Sequence, residues 1–215
     1  MYPVRGEARE KNLERSAYFS PAYFELPQLF SLAHQIHDVH GLRPENVLEI
    51  GIGNGFSSTF LKNAGFDVLT VDINERLKPD ICAPIARLEE CLEGRQFDLV
   101  VCCEVLEHMP FEEFVSSIET FRAIGRRLYL TLPNYRYVFG IGGIFNWILG
   151  NPLAVDARIE FPGARKLDRE HFWELGSTRE TSKRNIRRVL GRYYRVVEVS
   201  RYLMNPYHIA FYAHD

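Results

Sequence analysis

The sequence predicts an α/β protein built on a mostly parallel sheet, and three stretches carry that prediction. The first is NVLEIGIGNG, Asn46 to Gly55, where an apolar run stops in glycines at Gly51, Gly53 and Gly55 before an amphipathic helix begins at Phe56. Strand, glycine turn and helix make the opening unit of a nucleotide-binding sheet. The second stretch, Asp67 to Asp72, alternates like a buried strand and ends in a carboxylate where such folds hold a ribose. The third, FDLVVCC from Phe97 to Cys103, is the continuous apolar run of a strand covered on both faces.

The glycine spacing selects among nucleotide sites. G-x-G-x-G behind Glu49 is not the dinucleotide fingerprint G-x-G-x-x-G, which would want a small residue where Phe56 stands. A glycine turn that merely joins strand to helix is the plain alternative, and the second acid argues against it. Asp72 is acceptor-only when ionised, as two vicinal ribose hydroxyls require. A reductase using NAD would need the other spacing and a Tyr-x-x-x-Lys site, which the chain lacks.

With 215 residues, one α/β domain with decorations is expected. A hydrophobic content of 46% and a net charge of −2 are those of an ordinary soluble protein, with no basic excess demanding a polyanion. Cys82, Cys91, Cys102 and Cys103 have no metal-ligand spacing and read as reduced thiols of a cytoplasmic protein. No signal peptide is recognised, and the apolar run Val138 to Leu149 is too short to span a bilayer.

Residues 1–26 read as a charged, patternless tail to Arg15, then an aromatic stretch around Tyr18, Phe19, Tyr23 and Phe24 that either lids the cofactor or packs on the sheet. Residues 27–215 read as the domain. Pro27 opens a helix with Leu29, Leu32, Ala33, Ile36 and Val39 at helical spacing; His34, His37 and His40 lie on it as a polar face rather than a metal site. A short strand is expected at Pro79 to Ala83 and helices at Ile85 to Leu92 and Phe111 to Ile124, followed by a strand from Arg127 to Leu132. Tyr135 to Leu167 interrupts the alternation with an apolar, glycine-rich insertion. A helix broken at Gly176 is expected from Asp168 to Leu190, then two strands around Val196 and Ile209.

EIGIGNG with Asp72, FDLVVCCEVLEHMP and TLPN together resemble the class I S-adenosylmethionine (SAM)-dependent methyltransferases over roughly residues 45 to 135. The resemblance implies a Rossmann-like seven-stranded fold with helices on both faces, and SAM as cofactor with S-adenosylhomocysteine (SAH) as product. It implies that Gly51, Ile52, Gly53, Asn54 and Gly55 approach the methionine part of SAM, Glu49 orders that loop, Asp72 holds the ribose and Ile73 packs on adenine. The Cys103-Glu104 turn faces the methionine end. One departure stands out: Ala83-Pro84-Ile85 occupies the place where such families often carry an acid for the adenine amino group.

SAM already carries an activated methyl, so the protein must mainly align an acceptor and, for an oxygen, remove its proton. His108 and His171 are the candidate bases, with Glu107 orienting a ring or capping the next helix. The implied acceptor is a small molecule or a lipid- or glycan-linked one, with the apolar insertion walling its pocket. Glu104, Glu107, His108 and His171 also resemble the metal-binding set of small-RNA 2′-O-methyltransferases. That leaves metal-dependent RNA methylation as the alternative, beside a SAM-binding protein without catalysis; no resident metal and no nucleic acid are expected. The basic run Arg179, Lys183, Arg184, Arg187, Arg188, Arg192 is a solvated face or a peripheral membrane contact.

Overall fold

The computed structural model describes residues 6–145, 153–164, 166–202 and 205–215. Seven strands form one sheet: β1 (Asn46–Ile50), β2 (Asp67–Asp72), β3 (Ile81–Cys82), β4 (Phe97–Cys103), β5 (Gly125–Pro133), β8 (Val196–Tyr202) and β9 (Asn205–His214). Their order is β3-β2-β1-β4-β5-β9-β8, parallel from β3 to β5, with β9 and β8 antiparallel at the far edge. Strand order reverses between β1 and β4, which opens the crevice where sheets of this kind bind ligands, at the carboxyl ends of the strands.

Alternation along the strands builds two core layers. Leu48 and Ile50 of β1, Val100 and Cys102 of β4 and Leu128 and Leu130 of β5 pack with Phe114, Ile118 and Phe121 of α5 (Phe111–Ile124) and with Ile186 and Val189 of α6 (Lys183–Leu190). Val47, Leu99, Val101 and Tyr129 face the other way, toward Val39 of α2 (Leu26–Leu42) and Leu61 of α3 (Phe56–Asn63). Because β9 runs antiparallel to β5, it enters the sheet from the carboxyl edge, and His208 lies opposite Pro133 at that edge.

Several expectations are corrected. Ile85 to Leu92 is a single 3-10 turn followed by α4 (Leu88–Cys91), not one helix. Asp168 to Leu190 is helical only in α6, whose Ser182 side chain caps the amide of Asn185. Upstream, the amides of Phe172 and Leu175 are taken by the carbonyls of Glu107 and Pro133, and Gly176 has φ 85°, so the segment stays a loop. The insertion contains strands: β6 (Arg136–Phe145) and β7 (Leu153–Ala164) pair as an antiparallel hairpin outside the main sheet. Tyr137, Phe139, Ile159 and Phe161 of that hairpin are exposed, while Trp147, Ile148 and Leu149 fall outside the described residues. The α2 face also differs: Ser31, Gln35 and Val39 are the buried side chains, and Leu29, Leu32 and Ile36 are half-buried.

Candidate active site

A cavity of about 650 Å³ opens at the carboxyl edge, over β1, β2 and β4. Its floor is the glycine turn. Gly51 sits at φ 79° with its amide donating to the Val71 carbonyl at 2.8 Å, and a Cβ on it would fall 2.3 Å from Val105 Cγ2. Only glycine lets this backbone lie against the turn after β4 while staying bonded to β2. Asp72 locks the same loop from the side: Oδ2 accepts from the Ile52 amide at 2.9 Å and Oδ1 from the Asn74 amide at 2.8 Å. Burial raises its pKa, and the two amide bonds oppose that rise. Each oxygen keeps a lone pair for a further donor, the requirement for a ribose grip.

Glu49 lies beneath the loop, fully desolvated, and burial pushes its pKa up to about 7. Ile73, Ala83 and Ile85 line the neighbouring wall, while Asp80 turns outward to Thr70 and Lys62. This wall of the cavity, which the sequence resemblance would give to adenine, is therefore apolar at Ile73, Ala83 and Ile85.

Past the glycine turn the cavity continues into a polar chamber. Glu104 follows β4 at φ 56°, an unusual conformation for a residue with a Cβ. Glu107, His108 and His171 come together behind it, with one ligand atom of each lying within 4.8 Å of the others. His171 reaches this place because the Phe172 amide bonds the Glu107 carbonyl at 2.8 Å and the Trp173 indole donates to the Met109 carbonyl at 3.1 Å. The two imidazoles meet edge to face, 5.0 Å between centroids, and His171 Nδ1 lies 3.0 Å from Glu174 Oε1.

Charge is costly in this chamber. Glu107 is completely buried, and neither of its carboxylate oxygens has a hydrogen-bond partner among the described residues. Burial, then the neighbouring Glu104 charge, hold its pKa well above the usual range. Burial also lowers the pKa of His108, with His171 and Arg9 adding to the effect and Glu10 opposing it. A carboxylate-imidazole contact, a buried orphan carboxylate and a second imidazole suit either proton handling or a divalent cation.

Residues 7–23 strap the cavity from above. The Arg9 guanidinium bonds both Glu10 and Glu170, Tyr18 Oη donates to Glu10 Oε2 at 3.0 Å, and Asn74 Nδ2 donates to the Leu13 carbonyl at 2.8 Å. Burial, then Glu10, push the Tyr23 hydroxyl up to about 12. On the opposite wall, His208 is buried between Ser31 Oγ, 2.7 Å from Nδ1, and Glu104 Oε2, 3.0 Å from Nε2.

Of the residues singled out in the sequence, Glu49, Gly51, Ile52, Gly53, Asn54, Asp72, Ile73, Cys103, Glu104, Glu107, His108 and His171 all line this one cavity. Gly55 stands behind it at φ 76°, opening α3. Of the apolar residues expected to wall it, Phe139 is exposed and does not line it, and the side chains of Ile141, Ile144, Phe145, Trp147, Ile148 and Leu149 lie outside what is described. Sequence reasoning missed Arg9, Glu10, Ser31, Gln35 and His208, which do. Ser31 and Gln35, one helical turn apart on α2 and on the same side as Val39, were the available signal for two of them. His34, His37 and His40 contribute to no metal-ligand group among the described residues.

A methyltransferase-domain family model matches residues 23–171, well over half of the chain. The chain belongs to the class I SAM-dependent methyltransferases. Two curated relatives are ubiquinone biosynthesis O-methyltransferases, from an Azoarcus species (30% identical over 86 residues, 34% of this chain) and from Psychrobacter arcticus (33% over 95 residues, 37% of this chain). The match spans 37% of the length of each. Among solved structures, magnesium protoporphyrin IX methyltransferase from Synechocystis with bound SAH is 17% identical with a TM-score of 0.55, covering 88% of this chain and 84% of that one. A small RNA methyltransferase is likewise 17% identical, with a TM-score of 0.58 over 86% of this chain and 25% of that one. At these identities the structural likeness speaks for the fold. No helix among the described residues is long and apolar enough to cross a membrane.

Proposed function

We propose that this methyltransferase moves the methyl of SAM to a hydroxyl of a small-molecule acceptor. The observation that carries the reading is the two-part cavity: a glycine-floored half at Gly51 to Asn54 and Asp72, continuous with a polar chamber at Glu104, Glu107, His108 and His171. A sulfonium in the first half points its methyl toward whatever occupies the second, and holding both in line supplies most of the acceleration. The strap of residues 7–23 covers the cavity, which suits a compact acceptor better than a polymer. The O-methyltransferase names of the curated relatives agree with an oxygen acceptor.

A second reading rests on the convergence of Glu107, His108 and His171. These three suit a divalent cation, whose charge would neutralise the orphan Glu107 carboxylate, and metal-dependent methylation of an RNA hydroxyl is the activity that would go with it. One assay separates the readings: transfer of labelled methyl from SAM to a panel of phenols, catechols, amines, lipid extracts and short RNA duplexes, with and without chelator. Transfer to a small hydroxyl compound that survives chelation is expected. Transfer to RNA alone, abolished by chelation, would install the second reading, and SAM binding with no transfer to any acceptor would leave a SAM-binding protein.

A further inference from the structure

The methyl-transfer reading uses the chamber on the side of His108 and His171, yet the most completely wired histidine of the cavity is on the other wall. His208 is the fourth residue of β9, at the start of the strand that enters the sheet from its carboxyl edge. Its Nε2 lies 3.0 Å from Glu104 Oε2 and its Nδ1 2.7 Å from Ser31 Oγ. A carboxylate only accepts, so Nε2 carries the proton and Nδ1 is left as an acceptor for the Ser31 hydroxyl. The chain runs on: Gln35 Nε2 donates to Ser31 Oγ at 3.4 Å, and Ser57 Oγ donates to Gln35 Oε1 at 3.3 Å. All five side chains line the cavity, so the line of bonds runs from the N-terminal turn of α3, beside the glycine loop, to the residue after β4.

Placement ties this line to the cofactor. Glu104 precedes Val105, the side chain that a Cβ on Gly51 would strike, so the carboxylate holding His208 adjoins the glycine floor. A carboxylate orienting an imidazole whose other nitrogen faces a hydroxyl is the general arrangement for withdrawing a proton from oxygen.

Resting on the methyl-transfer reading above, we infer that Ser31, His208 and Glu104 form the proton relay for an acceptor hydroxyl. The acceptor oxygen attacks the methyl carbon while the carbon–sulfur bond breaks, its electron pair staying on sulfur to give the neutral thioether of SAH. The acceptor proton passes to Ser31 Oγ as the Ser31 proton passes to His208 Nδ1. The resulting imidazolium is balanced by the Glu104 carboxylate. The acceptor class is therefore a neutral alcohol or phenol, protonated when it binds. His108 and His171 are free of this task and remain available to shape the acceptor end of the chamber.

The test compares two acceptors of one shape, catechol and a nitro-substituted catechol that is already ionised at the assay pH, in the wild type and in His208→Gln, Ser31→Ala and Glu104→Gln. The relay predicts that His208→Gln slows catechol methylation by roughly 10²-fold, while the ionised acceptor loses less than about tenfold because it has no proton to give up. Ser31→Ala should follow the same pattern more weakly, and Glu104→Gln as well. SAM titration and thermal unfolding of each variant accompany the kinetics, so that a misfolded protein is recognised, and a variant that fails them is replaced by His208→Asn. Equal losses for both acceptors overturn the relay. So does transfer by the wild type to amines or thiols alone, or to nothing in the panel, while SAM still binds. Failure of the wild type to bind SAM would instead defeat the methyl-transfer reading itself.

Discussion

Replacing Gly51 by alanine separates the two physical demands made on the cofactor loop. At φ 79° a residue with a Cβ pays roughly 1–2 kcal/mol for the left-handed backbone alone. The added carbon would also lie 2.3 Å from Val105 Cγ2, an overlap that must be relieved by moving a side chain packed on the core. Overpacking of that kind costs roughly 1–3 kcal/mol, so Gly51→Ala should destabilise the fold by about 2–5 kcal/mol in total. Gly53 provides the internal control, since at φ 50° a Cβ there meets nothing nearer than Tyr18 Cδ1 at 3.9 Å. Gly53→Ala should therefore cost only the backbone part, about 1–2 kcal/mol. Urea denaturation of the two single variants, and of a Gly51→Ala, Val105→Ala double-mutant cycle, reads each contribution separately. Equal costs for the two glycines, or no recovery when Val105 is shortened, would refute the claim that loop and β4 turn are in steric contact.

Two further outcomes follow from the buried carboxylates. Asp72→Ala should weaken SAM binding at least about tenfold in isothermal titration, because charge-assisted hydrogen bonds are worth roughly 1.5–3 kcal/mol and the Ile52 amide loses its anchor as well; unchanged affinity would remove Asp72 from the site. Glu49, raised from 4.5 to about 7, stabilises the fold fully below pH 4.5, and that contribution is lost as pH rises through about 7. The loss amounts to roughly 3 kcal/mol, so Glu49→Gln should flatten the fall in stability between about pH 5 and about pH 8. Parallel curves for wild type and variant would place the titration elsewhere.

The parallel half of the fold was legible because its signals are local. An apolar run ending in glycines, or FDLVVCC, needs no knowledge of its neighbours to read as a buried strand, and β1, β2 and β4 start and stop close to where the pattern does. The site residues on those strand ends inherit that legibility, since the fold delivers every strand's carboxyl end to one edge. What stayed hidden depends on long-range pairing. His208 reaches the cavity only because β9 inserts antiparallel beside β5, 75 residues of chain after Pro133 has left the edge. Ser31 and Gln35 look like unremarkable polar helix positions until the cavity beneath α2 gives their burial a purpose. The segment 168–175 carries helix-forming residues, and tertiary hydrogen bonds to Glu107 and Pro133 outweigh that preference.

Asn74 has a consequence for the timing of the reaction cycle. Its amide holds Asp72 at 2.8 Å, its Oδ1 takes the Arg76 amide at 3.1 Å, and its Nδ2 holds the Leu13 carbonyl of the strap at 2.8 Å. One residue thus joins, by side chain and backbone, the cover to the very loop whose carboxylate would grip the ribose. The Leu13 bond is worth only about 1 kcal/mol net, so this end of the cover parts readily, while Arg9 on Glu170 and Arg76 on the Lys11 carbonyl hold it elsewhere. In the methyl-transfer reading SAH leaves and fresh SAM arrives through this one opening, so a change at Asn74 acts on cofactor exchange and leaves the chemical step alone.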